Sequence, residues 1–163
     1  KAEASKILLP DPTSVSGSKD VCVLFIGESA RRDHFSLYGY PRETNPCTSG
    51  DSVKAYMAEA SATYTSAGVK AILEHKPSRE LYEILPNYLQ RMGADVSWRT
   101  SNWGEPPVHT PKYYKMGDLK KRFPGADSHY DGILLEGLRE DIETSSADKV
   151  FILATANTPG GVS

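Results

Sequence analysis

Polar residues follow two predicted strands and begin one predicted helix, positions from which side chains commonly reach a ligand. Glu28 follows the apolar run VCVLFI, Asn102 follows the short strand predicted in ADVSWRTSN, and Thr65 begins the helical run TSAGVKAIL. Ligands of parallel sheets bind outside the carboxyl ends of the strands, and a hydroxyl at a helix N-terminus faces unpaired N–H groups that suit phosphate. Asn157, after the apolar run KVFILAT, adds a third strand end. A surface carboxylate and an ordinary helix cap are the alternative interpretations of Glu28 and Thr65.

Two further hydroxyls are candidate nucleophiles. The tripeptide GES (27–29) resembles the start of the G-x-S-x-G elbow of serine hydrolases, which would make Ser29 the nucleophile of an esterase. Arg31 stands at the fifth position, where that elbow needs glycine, and no matching His and Asp can be assigned. Thr63 lies two residues before Thr65, and residue types alone leave both threonines open.

The predicted elements alternate in the order strand, helix, helix, strand, helix, strand, which favours an α/β fold with a mostly parallel sheet between two helix layers. The run VCVLFI shows no alternation, so it predicts a strand buried on both faces, with Cys22 as a small hydrophobic residue inside it. The second helix is predicted to begin after an N-cap at Ser78, to kink at Pro86 and to stop at Gly93. The third helix, in YDGILLEGLREDIETS, is predicted to start at an Asp131 cap.

The composition fits one domain and gives no indication of a nucleic-acid partner or of a membrane span within these residues. The chain has 163 residues, of which 39% are hydrophobic and 25% charged, and a net charge of −2. That charge gives no reason to expect nucleic-acid binding. The longest apolar run, Val21 to Ile26, is too short to cross a bilayer. Residues 1–18 contain the Pro/Ser/Gly-rich run PDPTSVSGS, which is typical of a linker, and the fold is predicted to start near Lys19.

The segment GESARRDHFSLYGYPRETNP resembles the signature of the phosphoethanolamine transferases, which belong to the alkaline phosphatase and sulfatase superfamily. The matched positions are Gly27, Glu28, Ser29, Arg31 or Arg32, Asp33, His34, Phe35, Ser36, Gly39, Tyr40, Arg42, Thr44 and Pro46. The segments SATYTSAGVKAIL and SWRTSNWGEPP are similar to the family's nucleophile segment and to its W-R-x-x-N segment. The resemblance implies an alkaline phosphatase-like, three-layer α/β/α fold, of which residues 19–163 form an N-terminal and apparently incomplete part.

The resemblance also implies roles for three residues. Glu28 and Thr65 would be Zn²⁺ ligands, Thr65 would be the nucleophile, and Asn102 would contact the phosphoethanolamine group. The implied reaction moves phosphoethanolamine from phosphatidylethanolamine to Thr65 and then to lipid A, a sugar or a protein. The family's catalytic domain lies in the periplasm of bacteria and is held to the inner membrane by an N-terminal domain, which is absent here and would precede the linker 1–18.

Three departures from the family pattern lead to an alternative function. The family's second pair of zinc ligands lies in a D-H-G-E segment that this chain lacks, and Asp33-His34 belongs to the signature, where both are taken as structural. The atypical end, residues 154–163, has Ala154 and Pro159 near positions where the family has histidines. The cysteines that often flank the nucleophile are missing, and Cys22 and Cys47 do not replace them. The chain would then be a non-catalytic or impaired form of the fold that binds a lipid headgroup or a partner, and missing strands would leave apolar faces exposed.

Overall fold

Four parallel strands organise the part of the chain that the computed structural model describes, which comprises residues 8, 10, 19–48, 50, 52–74, 83–102, 110–127, 131–144 and 147–155. The strands are β1 (Val21–Ile26), β2 (Asp95–Thr100), β3 (Lys112–Lys115) and β4 (Lys149–Ala154). Their order across the sheet is β1-β4-β2-β3, so the last of these four strands lies between the first two. All three pairings are parallel, as the sequence predicts.

Four short α-helices and four 3₁₀ turns connect and cover these strands. The helices are α1 (Thr65–Leu73), α2 (Leu85–Arg91), α3 (Met116–Arg122) and α4 (Leu138–Glu143). The 3₁₀ turns occupy Arg32–His34, Ser36–Tyr38, Pro46–Thr48 and Asp131–Leu135. Both counts refer to the ranges given above.

Apolar cores lie on both faces of the sheet, which confirms the prediction of helices on two sides. One core joins α1 to the sheet through Val69, Leu73, Val96, Trp98, Val150, Ile152 and Ala154. The opposite core lies under α3 and the last 3₁₀ turn and contains Leu119, Ile133, Leu134, Phe151 and Leu153. Alternate residues of a strand point to opposite faces, so β4 contributes to both cores and is buried along its whole length.

The prediction that β1 is buried on both faces is wrong. Val21, Val23 and Phe25 are 43%, 47% and 59% exposed. Cys22, for which the sequence predicts a place inside the core, is exposed and has a free thiol. Within the described residues β1 is an edge strand paired with β4 alone, and only its inner residues, such as Ile26, join a core.

Helix α2 begins later than the sequence predicts. Ile84 is extended, the helix starts at Leu85, and Pro86 falls in its first turn. Proline is tolerated there because the first N–H groups of a helix have no intrahelical partner. Pro86 therefore lies in the first turn and does not kink the helix. The predicted cap Ser78 lies outside the described residues. Gly93 follows the helix with a φ of 94°, which agrees with the predicted stop.

The third predicted helix is divided into two elements. Asp131 to Leu135 form a 3₁₀ turn, so Asp131 does not cap a long helix. Helix α4 begins only after Gly137, whose φ of 62° is incompatible with a continuous right-handed helix. Phe123 packs closely against this glycine, because a Cβ atom built at position 137 would lie 2.6 Å from the Phe123 Cζ atom.

Strand β3 and helix α3 are two elements that the sequence patterns do not predict. The strand is only four residues long, KYYK, and has charged residues at both ends. It pairs with β2, and Tyr113 stacks on Trp98 with ring centroids 6.2 Å apart. Tertiary packing therefore forms a strand that local apolar periodicity does not indicate.

Several expectations concern parts of the chain that the structure does not describe. Of the predicted linker 1–18, only positions 8 and 10 are described. Asn157 and Pro159 also lie outside the described residues. In the helices that are described, none combines the length and apolar character that a membrane span requires.

Candidate active site

The side chains of Glu28, Thr65 and Asn102 meet at the carboxyl end of the sheet. Thr65 Oγ1 donates a hydrogen bond to Glu28 Oε2 over 2.9 Å, and Asn102 Nδ2 donates to the same oxygen over 3.2 Å. Each of these two hydrogen bonds is partly buried, so the group lies at the border between core and solvent. The proximity of Glu28 and Thr65 is the one that the sequence predicts, whereas their chemical roles stay predictions.

The ends of β1, β2 and β4 hold this arrangement in place. The backbone N–H of Thr155, directly after β4, donates to the Ile26 carbonyl over 3.0 Å, and the Ser101 N–H donates to the Ala154 carbonyl over 3.1 Å. Asn102 Nδ2 also donates to the Thr155 carbonyl over 3.3 Å. The amide of Asn102 is therefore shared between Glu28 and the end of β4, which fixes its direction toward the carboxylate.

Ser29 adds a third donor to Glu28 from a strained backbone position. Its hydroxyl donates to Glu28 Oε1 over 3.3 Å, and its φ is 48°, the only positive φ of a non-glycine residue in the described part. A side chain in the left-handed region costs about 1–2 kcal/mol, and such residues cluster at functional sites. The turn at Ser29 therefore shapes the position of the preceding carboxylate.

Thr65 is the first residue of α1, so its hydroxyl lies beside the N–H groups that begin the helix. The preceding residue, Tyr64, is extended and caps the helix without a side-chain hydrogen bond. The first N–H groups of a helix and the positive end of its dipole favour an anion such as phosphate. Thr63 is exposed, and the hydrogen bond to Glu28 comes from Thr65. The structure thus brings the hydroxyl of Thr65 to the carboxylate.

Hydrogen bonds within residues 34–45 brace the loop that follows Glu28. Thr44 Oγ1 accepts from the Ser36 N–H over 2.9 Å and donates to the His34 carbonyl over 2.8 Å. The Asn45 N–H donates to Ser36 Oγ over 3.1 Å. Since these contacts need particular side chains at fixed spacing, they give a physical reason for the density of matched positions in the signature segment.

The side chains of Asp33 and His34 contact near neighbours in the same loop. Arg31 binds Asp33 through an exposed ion pair of 2.6 Å, and the hydrogen bond from Arg31 holds the pKa of the Asp33 carboxyl below its ordinary value. The His34 ring lies beside the Tyr40 ring with centroids 5.1 Å apart. Both side chains therefore have structural contacts within the loop.

Only a few oxygen atoms among the described residues of the site could bind a metal ion. The Glu28 carboxylate and the Thr65 hydroxyl are oxygen donors of the kind that can bind Zn²⁺, but a zinc site needs about four ligands. Nowhere in the described ranges do three or more His, Cys, Asp or Glu side chains form a group that could hold a metal. The fit to zinc is therefore that of a partial site.

The sequence places Glu28 and Asn102 at strand ends on one edge of the sheet, but it predicts neither the direct hydrogen bond between them nor the part played by Thr155. Thr155 directly follows the apolar residues of β4, and a position after a strand end is one from which a residue can reach a site. The pairing of Asn102 with Glu28 depends on the strand order, which places β4 between their two strands. Local sequence patterns do not contain that order.

Comparisons with known proteins show which proteins this chain resembles. The chain is 34% identical over 146 residues to the phosphoethanolamine transferase EptA of Helicobacter pylori, an alignment that covers 86% of this chain and 28% of the relative. It is 30% identical over 152 residues to EptA of Escherichia coli K12, with 87% and 28% covered. The chain thus spans a little over a quarter of the length of these relatives. No protein-family model matches it.

Two solved structures share the fold. The integral membrane lipooligosaccharide phosphoethanolamine transferase A of Neisseria meningitidis matches 90% of this chain and 29% of its own, with a TM-score of 0.67 and 23% identity. The C-terminal periplasmic domain of EptC from Escherichia coli, solved as a complex with zinc, matches 88% and 45%, with a TM-score of 0.66 and 22% identity. The predicted alkaline phosphatase-like fold is confirmed by these neighbours. The chain is therefore a homologue of a segment of the phosphoethanolamine transferases, and it shares the fold of the two solved proteins.

Proposed function

We propose that this chain carries the nucleophile of a phosphoethanolamine transferase that works through a phospho-threonine intermediate on Thr65. The observation that carries the proposal is the 2.9 Å hydrogen bond from Thr65 Oγ1 to Glu28 Oε2 at the carboxyl end of the sheet. It is supported by relatives that are named phosphoethanolamine transferases. Because the chain spans only part of those relatives, the transferase activity of the whole protein is itself proposed.

The proposed reaction has two balanced displacements at phosphorus. In the first, Thr65 Oγ1 attacks the phosphorus of phosphatidylethanolamine, a new Oγ1–P bond forms, and the bond to the diacylglycerol oxygen breaks. Diacylglycerol leaves with a proton, and the phosphoethanolamine group remains on Thr65. In the second, the oxygen of an acceptor hydroxyl or of a protonated acceptor phosphate forms a bond to the same phosphorus, the Oγ1–P bond breaks, and the proton of the acceptor passes to Thr65 Oγ1. The N–H groups that begin α1 would stabilise the charge on the phosphoryl oxygens in both steps.

Glu28 and Asn102 have distinct tasks in this scheme. Glu28 Oε2 accepts the hydrogen bond of the Thr65 hydroxyl and so orients the attacking oxygen. Asn102 Nδ2 donates to that same carboxylate oxygen, and a small shift would let it donate to a phosphoryl oxygen of the substrate. The two residues therefore position the nucleophile and the group that it receives.

Glu28 and Thr65 would also hold a Zn²⁺ ion. The ion would favour the deprotonated form of the Thr65 hydroxyl, as metals do for bound water. The remaining ligands would come from residues outside those the structure describes or from outside this chain. A zinc complex of a protein with the same fold supports this proposal.

The proposed setting follows from the relatives. Phosphatidylethanolamine would be the donor, and the acceptor would be lipid A, a sugar or a protein in the periplasm. The domain would be held to the inner membrane of a bacterium by a segment beyond this chain. One structural neighbour is an integral membrane protein and the other is a periplasmic domain, and both support this setting.

Diacylglycerol release from phosphatidylethanolamine in detergent micelles tests the proposal. With zinc present we expect release by the wild-type chain, and a loss of roughly a thousandfold or more in Thr65→Val and Glu28→Gln, as for loss of a nucleophile in other covalent catalysts. Thr63→Val is the matched control and should keep the wild-type rate. Equal loss in Thr63→Val and Thr65→Val would refute the assignment of Thr65.

The same assay distinguishes two other functions. A non-catalytic domain is favoured by the partial set of metal donors in the described residues; it predicts no release but retained binding to vesicles that contain phosphatidylethanolamine. An esterase with Ser29 as nucleophile predicts that Ser29→Ala removes activity toward activated esters and that a chelator has no effect. The transferase proposal predicts that Ser29→Ala keeps activity, because Ser29 Oγ serves only as a donor to Glu28 in that scheme. It also predicts that a chelator removes activity.

A further inference from the structure

A polar cavity lies at the opposite end of the sheet from Thr65 and Glu28. It has a volume of about 190 Å³, and its polar lining includes Asp95, Ser97, Lys112, Arg122, Asp141 and Lys149. Three of these residues begin strands β2, β3 and β4. Along β2, Ser97 and Asn102 are separated by roughly 16 Å at about 3.3 Å per residue. The cavity is therefore distinct from the proposed active site.

The register of the parallel strands brings these side chains to one face. Ser97 is the Cα partner of Lys112 on β3 and of Phe151 on β4, and Asp95 is the partner of Lys149. Since side chains two residues apart share a face, these positions all face the α3 and α4 side. Their grouping is a property of the sheet itself and not of a loop.

Two lysines in the lining of the cavity share one carboxylate. Lys112 Nζ lies 2.7 Å and Lys149 Nζ 2.9 Å from the Asp95 carboxylate. The Lys149 side chain is only 3% exposed, whereas that of Lys112 is 48% exposed. One carboxylate neutralises one of the two ammonium groups, so this half of the cavity has an excess positive charge.

The wall of the cavity repeats the same pattern with arginines. Arg122 and Arg99 each bind Asp141 over 2.6 Å. Arg99 is fully buried behind the wall, and Arg122 is 36% exposed. Together with the two lysines, four cations face two carboxylates, which leaves an excess of positive charge among these six side chains.

The Ser97 hydroxyl is the second, independent indication of a ligand. Ser97 is 4% exposed, and its Oγ has no hydrogen-bond partner among the described residues. Most buried polar side-chain atoms in proteins are hydrogen-bonded to protein or to a bound molecule. An unpartnered donor that lines a positively charged cavity is suited to an anion.

We propose that this cavity binds a small oxyanion with a charge near −2, either inorganic phosphate or a phosphate monoester. Lys112 and Arg122 would hold it from the open side and Ser97 would donate from the floor. The volume is below the roughly 300–1,000 Å³ of pockets for drug-sized ligands, which suits a group of this size. The proposal does not depend on the function of Thr65.

Calorimetric titration of the whole chain with sodium phosphate tests the proposal, with sodium chloride of equal ionic strength as the reference titration. We expect saturation by roughly 10 mM phosphate, corresponding to a dissociation constant of about 1 mM or lower. Lys112→Gln should weaken binding about tenfold or more, because it removes a charged donor. Ser97→Ala should weaken binding while leaving the melting temperature without phosphate unchanged, since its hydroxyl has no partner to lose among the described residues.

Lys120→Gln is the matched control, because Lys120 is exposed on α3 and does not line the cavity. It should bind phosphate like the wild type. A parallel titration with glycerol phosphate separates the two sources of the anion: tighter binding of the ester points to a monoester, and tighter binding of phosphate points to the free ion. The proposal is overturned if the wild type binds neither, or if Lys120→Gln weakens binding as much as Lys112→Gln.

Discussion

Three donors that converge on one carboxylate define the candidate site at the scale of single residues. Thr65 and Asn102 donate to one oxygen of Glu28 and Ser29 to the other. A charge-assisted hydrogen bond is stronger than a neutral one and fixes geometry more tightly. The site is therefore arranged around Glu28, and the hydroxyl of Thr65 is the group held in position.

Asn102→Ala should lower the rate of diacylglycerol release by about ten- to a hundredfold. The substitution removes a hydrogen bond to a charged group, which contributes roughly 1.5–3 kcal/mol, and frees Glu28 Oε2 to move. Asn87→Ala, an amide lost from α2 away from the site, should keep the wild-type rate in the same assay. A normal rate in Asn102→Ala would show that Asn102 has no part in positioning Glu28.

Asp141 gives a prediction about pH. Burial works to raise its pKa, but the hydrogen bonds and charges of Arg122 and Arg99 outweigh burial, so the pKa lies below its ordinary value. A carboxyl whose pKa is lowered by folding stabilises the protein above its unfolded pKa, about 3.9, and that contribution is lost as the pH falls through the folded value.

We therefore expect Asp141→Asn to lower the free energy of unfolding by about 2 kcal/mol at pH 7, because it leaves the buried Arg99 without its carboxylate. Urea unfolding at several pH values from neutral down to the acid range should show the difference from wild type shrinking as the pH falls. Asp33→Asn breaks the exposed pair with Arg31 and should change the free energy of unfolding little at any of these pH values. A difference for Asp141→Asn that is constant with pH would contradict the account.

At the scale of elements, the sequence predicts the strands better than their surroundings. The apolar runs at β1 and β4 and the segment around β2 correctly indicate strands, and α1 begins at Thr65 as predicted. The exposed face of β1 could not be predicted, because burial depends on which strands and helices lie beside it. The break at Gly137 is not indicated either, because the apolar periodicity continues through it from Ile133 to Ile142.

Gly137→Ala tests the break between the 3₁₀ turn and α4. The new methyl group would lie 2.6 Å from the Phe123 ring, and the alanine would have to adopt a φ of 62°. We expect a loss of about 2–3 kcal/mol in the free energy of unfolding, from left-handed strain and from overpacking. Gly117→Ala on α3, where nothing lies within 4 Å of the new atom, should be neutral or slightly stabilising. Equal melting temperatures for wild type and Gly137→Ala would contradict this packing.

At the scale of the whole molecule, the fold leaves part of the sheet uncovered in the described residues. The helices of the α3 side cover β4, β2 and β3, whereas Val21, Val23 and Phe25 on the same face of β1 remain exposed. An edge strand with an apolar face is a site for association. The chain matches a little over a quarter of its relatives, and exposed apolar faces are what the sequence predicts for a partial domain.

Phe25→Lys should reduce self-association of the chain. The phenylalanine is 59% exposed on β1, and a lysine on an edge strand opposes pairing between copies. Light scattering over a range of concentrations should show mass increasing for the wild type and a constant monomer mass for the variant. Met57→Lys, at a residue that is 75% exposed but outside the sheet, should behave like the wild type. A monomeric wild type at all concentrations would refute the prediction.

The central claim is that Thr65, oriented by Glu28, takes up the phosphoethanolamine group. Peptide mapping by mass spectrometry after incubation with phosphatidylethanolamine and zinc measures this most directly, with acceptor omitted so that the intermediate accumulates. The account predicts one added phosphoethanolamine on Thr65 in the wild type and none in Glu28→Gln. An adduct on Thr63 or Ser29, or one on Thr65 that persists unchanged in Glu28→Gln, would contradict it.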